Sequence, residues 1–255
     1  MSSKAAEIAR LGVADARAIP FPQQRAMLVC LSGIDGSGKT RVAHRLEYAF
    51  RREGIEAQYQ WLRGGSSTFS EIITRIFRRV LVGDSRKPAP RYSLSARKGL
   101  TFTVKKFFWY LLVAIDLTEF CFFRVRLPKL LGKVVICDRY TFDTFSDIAS
   151  QYERDPASSK MNAFERFFHF LYPKPDLHFL LLADPASVER VGITGVQSDE
   201  DFYTKSQLYL ARYQPYANFL VKQVQGDFER LDQEIVREAV KRYWKLAQQD
   251  TRGNP

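Results

Sequence analysis

Gly33-Ile34-Asp35-Gly36-Ser37-Gly38-Lys39-Thr40 has the form G-x-x-x-x-G-K-[ST], a complete phosphate-binding loop. Each fixed residue has a mechanical task. Gly33, Gly36 and Gly38, with Ser37 between the last two, let successive backbone N–H groups curl around a triphosphate such as ATP with no Cβ in the way. Lys39 can reach the β- and γ-phosphate oxygens, and the Thr40 hydroxyl can ligate Mg²⁺. At average residue usage this pattern arises by chance in roughly one chain of this length in a hundred. The flanks lower those odds. Ala26 to Leu31 is an apolar run that reads as a strand, and Val42, Ala43, Leu46, Ala49 and Phe50 recur at helical spacing before a capping Gly54. Strand, glycine loop and helix together are the setting the motif needs.

The 255 residues, 45% of them hydrophobic, suit one substantial α/β domain and leave little room for a second. We read residues 26–250 as that domain and residues 1–25 as an N-terminal extension. The extension lacks the apolar core of a signal peptide. Lys and Arg outnumber Asp and Glu by 39 to 28, a net charge of +11. The cations are scattered and no aromatic-basic signature accompanies them, which argues against a nucleic-acid binder and for solvated faces plus a few phosphate-facing arginines. Three unpaired cysteines, Cys30, Cys121 and Cys137, show no metal-ligand spacing and point to a reducing, cytoplasmic setting. Phe107 to Ile115 is apolar but too short to span a bilayer, so no transmembrane segment is expected; it reads as a buried helix, with a membrane-surface contact as the minor alternative.

Five core strands are expected: Ala26 to Ser32, Ala57 to Leu62, Val134 to Asp138, Leu177 to Leu182 and a weaker Phe228 to Leu231. Helical periodicity falls on Arg41 to Glu53, Phe69 to Val82, Val104 to Leu127, Asn162 to Leu171, Asp199 to Val224 and Gln233 to Gln248. Residues 84–103 read as a surface excursion. Continuous apolar strands alternating with helices predict a doubly wound, five-stranded parallel sheet of the P-loop, nucleotide-kinase-like kind, with the nucleotide at the carboxyl ends of the strands.

Val134 to Asp138 is an apolar strand that ends in a carboxylate, the pattern that sets an aspartate beside Mg²⁺ in phosphate-loop proteins. Arg139 follows, and its planar fork suits a phosphate held opposite the glycine loop. With these residues in place the chain resembles the thymidylate kinase family of nucleoside monophosphate kinases over residues 26 to 235. The family loop commonly reads E-G-x-D-G-x-G-K-[ST]-T, against Ser32 to Arg41 here, and its D-R-Y element matches Asp138-Arg139-Tyr140. The helix Leu111 to Phe120, Pro175-Asp176-Leu177 and Gly64-Gly65 are similar to further family segments, with Arg63 near the family's arginine beside the last pair. The departures cluster elsewhere. Leu117 stands where the family has an arginine that helps hold the thymine base. Asp143 to Ile148 replaces S-T-x-A-Y-Q, which puts Asp147 at the tyrosine. Of the lid cations only Arg190 and Lys205 remain.

The resemblance implies ATP-dependent phosphoryl transfer to a nucleoside monophosphate. Lys39 and the loop amides would hold the transferring group, Thr40 and Asp138 the Mg²⁺, Arg139 and Arg63 the acceptor phosphate, and Asp35 the acceptor sugar, with Tyr140, Asp143 and Asp147 lining the acceptor side. The family commonly forms dimers, so a homodimer is implied as well. Two alternatives stay open on the residues. One is a kinase on the same scaffold that phosphorylates a nucleoside or sugar hydroxyl, with Asp143 or Asp147 taking its proton. The other is a nucleotide-dependent switch without transfer.

Overall fold

The computed structural model describes residues 25–62, 111, 113–152, 163–183, 203, 206–211, 219–224 and 228–252. The expected helix Phe69 to Val82, the 84–103 excursion, Arg63, Arg190, Lys205 and most of the N-terminal extension lie outside these residues.

Five strands form one all-parallel sheet: β1 (Met27–Gly33), β2 (Ala57–Trp61), β3 (Val134–Asp138), β4 (Leu177–Ala183) and β5 (Phe219–Val224). Their spatial order is β2-β3-β1-β4-β5, with β1 at the centre and the chain reversing direction of travel across it. Every residue of β1 and β3 is buried, as strands covered on both faces require. Side chains alternate between two apolar clusters. Val29, Leu31 and Ile136 pack with Val42, Leu46 and Phe50 of helix α1 (Lys39–Arg52) on one face. Leu28, Cys30 and Cys137 pack on the other with Leu117, Val125 and Phe145.

Helix α1 ends as the sequence foretold. Gly54 has φ 75°; its N–H donates to the Arg51 carbonyl and the Ile55 N–H to the Phe50 carbonyl, so glycine closes the helix in a left-handed cap. Helix α2 is α-helical over 113–120, takes a π-helical turn at Cys121–Arg126 and resumes at Leu127–Leu130. Helix α3 (Thr141–Tyr152) follows β3, α4 (Ala163–Leu171) precedes β4, α5 covers 206–211, and α6 (Phe228–Arg252) closes the described chain.

The fifth strand corrects the sequence expectation. Phe228 to Leu231 is the first turn of α6, and β5 lies at Phe219–Val224, inside the segment expected to be helical up to Val224. Phe219-Leu220-Val221 and Val224 carry the strand signal, and they pair with β4 from His178↔Phe219 to Ala183↔Val224. Leu231, Ile235, Ala239 and Tyr243 form the buried stripe of α6 at helical spacing. Helix α3 carried no expectation at all; its start is fixed by the Asp143 carboxylate, which accepts the Tyr140 N–H at 2.9 Å, half of a capping box.

Candidate active site

The glycine loop joins the end of β1 to the start of α1, at the carboxyl edge of the sheet. Gly33 has φ 141°, and a Cβ there would sit 2.2 Å from the Leu181 carbonyl oxygen of β4, so only glycine lets the two strands approach. Gly36 and Gly38 hold φ of 86° and 84°. Lys39 is buried, and its ammonium donates to the Gly33 carbonyl at 2.9 Å and the Ile34 carbonyl at 2.5 Å, so the loop itself aims the cation. The Thr40 hydroxyl donates to Asp138 Oδ2 at 2.5 Å across the end of β3, and the Tyr59 hydroxyl donates to the same oxygen at 3.2 Å. Burial and then the Asp138 charge push the Tyr59 phenol up to about 12, so it stays a donor. A carboxylate and a hydroxyl, both hard oxygen ligands, suit Mg²⁺.

Arg139 is the single non-glycine residue of positive φ among the described residues, at 70°. Left-handed backbone costs of order 1–3 kcal/mol for a side chain of this size. Three contacts hold it. Its N–H donates to the Leu31 carbonyl at 2.8 Å, its guanidinium ion-pairs with Asp35 in the glycine loop, and the next residue begins the α3 cap. The turn directs the Arg139 fork at the loop instead of along the strand.

Tyr140, Asp143 and Leu117 are all buried. The Tyr140 ring is buried in the core and its hydroxyl donates to the Pro173 carbonyl. Leu117 is fully buried among apolar neighbours. Asp143 is enclosed by donors: the Ser32 hydroxyl at 2.5 Å, the Tyr209 hydroxyl of α5 at 2.8 Å, and the backbone N–H groups of Tyr140 and Gly33 at 2.9 and 3.3 Å. Burial raises its pKa, while the charges of Arg139 and Lys39 and the Ser32 hydrogen bond oppose the rise. Asp147, one turn later, is half-buried.

The sequence singled out neither Ser32, His178 nor Tyr209, yet they complete this network. Ser32 Oγ lies 2.7 Å from His178 Nε2. A hydroxyl has one proton, and Ser32 gives it to Asp143, so His178 must supply its own Nε2–H to Ser32. The relay His178→Ser32→Asp143 therefore requires that tautomer. Burial, with a smaller contribution from His169, pushes the His178 imidazole down to about 3. The folded protein keeps it neutral, whereas the unfolded chain takes up a proton near 6.5. Acid thus favours unfolding as the pH falls from about 6.5 towards 3, by about 2 kcal/mol at pH 5. Urea denaturation of native protein and His178→Gln at pH 7.5 and about 5 should show the native protein losing that much more; equal losses would contradict the buried neutral imidazole.

An all-parallel sheet with a glycine loop, its lysine, and a strand-end aspartate and arginine at one edge defines a phosphate-loop nucleotide-binding protein. The comparisons with known proteins narrow this. A probable thymidylate kinase of Pyrococcus horikoshii is 32% identical over 179 residues, 69% of this chain and 75% of that protein. A probable thymidylate kinase of Pyrococcus abyssi is 30% identical over 219 residues, 83% of this chain and 95% of its own length. The solved structure of thymidylate kinase from Candida albicans superposes with a TM-score of 0.56 at 16% identity, over 86% of this chain and 94% of that one, a likeness of fold. No protein-family model matches the chain. The chain belongs to the thymidylate kinase family, whose members are P-loop kinases that use ATP as phosphate donor.

Proposed function

We propose that residues 26–250 act as one unit that transfers the γ-phosphoryl group of ATP to the phosphate of a nucleoside monophosphate, thymidylate being the acceptor that names the relatives. The observation that carries this reading is the Arg139 guanidinium, held in a left-handed turn and tied to Asp35 of the loop itself. A cation fixed there suits an anionic acceptor brought up to the transferring group. The phosphate nucleophile is already charged, so the reaction rests on positioning and charge neutralisation and calls for no strong base.

In this reading Lys39 and the loop N–H groups hold the donor phosphates. Thr40 and Asp138 would hold Mg²⁺, which would supply charge neutralisation for the donor phosphates. Arg139, with Arg63, holds the acceptor phosphate, and Asp35 both orients Arg139 and faces the acceptor sugar. Tyr140 and Asp143 act as positioning residues: the Asp143 carboxylate receives the Gly33 and Tyr140 N–H groups and so ties the start of the glycine loop to the Asp138-Arg139-Tyr140 turn. A hydroxyl acceptor would need a carboxylate free to take its proton, and four donors already engage Asp143.

The test is transfer from labelled ATP to a panel of nucleoside monophosphates, nucleosides and sugars. Diphosphate products are expected from the monophosphates, with kcat/KM at least about 100-fold above any hydroxyl acceptor. Leu117 offers no hydrogen bond where the family arginine holds thymine, so thymidylate should lead the other monophosphates by less than about tenfold. Efficient phosphorylation of a nucleoside or sugar hydroxyl would overturn the assignment.

A further inference from the structure

The amino edge of the sheet, opposite the glycine loop, carries an apolar surface that the catalytic reading does not use. Leu130 and Leu131 stand just before β3 and Phe170 just before β4, and they are 83%, 62% and 81% exposed. Phe123, Leu127 and Phe167 extend the same surface and are also exposed. The Arg126 guanidinium donates to the Leu171 carbonyl at 2.6 Å, which joins the end of α2 to the end of α4. Scattered exposed apolar residues are ordinary, but a contiguous patch of large ones marks an interaction site.

The charge on this surface is mainly positive. The stretch 122–133 contains Arg124, Arg126, Lys129 and Lys133 and no acidic residue. Across from it Arg166 and Lys174 are exposed while Glu165 is fully buried. The nearest carboxylates are engaged, Asp176 by Lys129 at 3.0 Å and Glu56 by Lys133 at 3.2 Å. Glu119, the exposed acid on α2, lies a turn further from the edge. Exposed phenylalanine and leucine ringed by cations match the boundary of an anionic bilayer, where apolar groups enter the acyl region and cations meet headgroup charge. A second copy of the chain fits worse, because a two-fold contact would set this basic surface against itself.

We propose that this edge docks on an anionic lipid bilayer as a peripheral contact. Among the described residues no helix is long and apolar enough to cross a membrane, so docking here is by surface insertion. The glycine loop and Asp138 lie at the carboxyl ends of β1 and β3, so the catalytic mouth faces away from the lipid and stays open to nucleotides.

The experiment is flotation of the full chain with phosphatidylcholine vesicles, with and without phosphatidylglycerol, at low and high salt, beside Leu130→Asp with Phe170→Asp. The native chain should float with the anionic vesicles, detach with rising salt and ignore the neutral ones. The double variant should lose at least about tenfold in partitioning, with ATP binding unchanged. Failure of the native chain to bind anionic vesicles would overturn the proposal. So would equal binding by the variant, or sedimentation showing that Leu130 and Phe170 hold two copies of the chain together.

Discussion

Lys39→Ala should lower kcat/KM for phosphoryl transfer by about 10³-fold or more and weaken ATP binding, with the protein still folded. The size follows from where the charge sits. The ammonium is buried and fixed by two carbonyls of the loop it serves, so it meets the donor phosphates in a site of low dielectric and needs little reorganisation as charge develops. Its loss leaves the Gly33 and Ile34 carbonyls without that donor, a change of about 1 kcal/mol in stability, which denaturation can separate from the kinetic effect. Thr40→Ala and Asp138→Asn should behave differently. Both act through the ion they would share, so part of their activity should return at Mg²⁺ concentrations about tenfold higher, while added Mg²⁺ should not restore Lys39→Ala. A folded Lys39→Ala protein with native kcat/KM would remove the glycine loop from the donor site.

The glycine loop, α1 and four of the five strands were legible because each is a local pattern: an apolar run bounded by glycine or charge, or an apolar stripe at helical spacing. Strand β3 falls at Val134–Asp138 as expected, since every side chain in it meets a helix-covered face. β5 was misplaced because Phe219 to Val224 continues an apolar rhythm that helix and strand share, and only pairing with β4 decides between them. Helix α3 is not legible locally because Phe142 and Phe145 give too short a stripe, and its N-terminal signal is an aspartate that reads equally as a catalytic group. The network around Asp143 lay beyond local reading altogether. Ser32 and His178 are 146 residues apart and meet only because β1 and β4 lie side by side, with Cys30 opposite His178 and Ser32 opposite Leu180. One sequence clue was present: a serine and a histidine inside otherwise apolar central strands, where a polar side chain needs a buried partner.

Ser32→Glu and Asp143→Ser should each destabilise the protein by about 3 kcal/mol or more, yet together cost far less than their sum. The family pattern has glutamate at the position of Ser32 and serine at the position of Asp143, so this chain carries the same two functional groups on exchanged strands and helices. Their contact, Ser32 Oγ to Asp143 Oδ2 at 2.5 Å, shows that one carboxylate occupies the shared space. Ser32→Glu alone forces a second carboxylate against the first in a fully buried site, where like charges cannot both stay ionised. Asp143→Ser alone strands the Gly33 and Tyr140 N–H groups and the Tyr209 hydroxyl, and removes one negative charge near Lys39 and Arg139. The double exchange restores one carboxylate and one hydroxyl with nearly the original volume, and a glutamate at 32 can accept the His178 Nε2–H directly. Urea denaturation of the four proteins gives the coupling energy, expected at about 3 kcal/mol in favour of the double variant. Transfer activity should follow it, because the same carboxylate fixes the Gly33 amide at the mouth of the loop and the Tyr140 amide beside Arg139. If the two single losses simply add, the carboxylate at 143 is not a relocated copy of the one at 32, and Asp143 serves α3 alone.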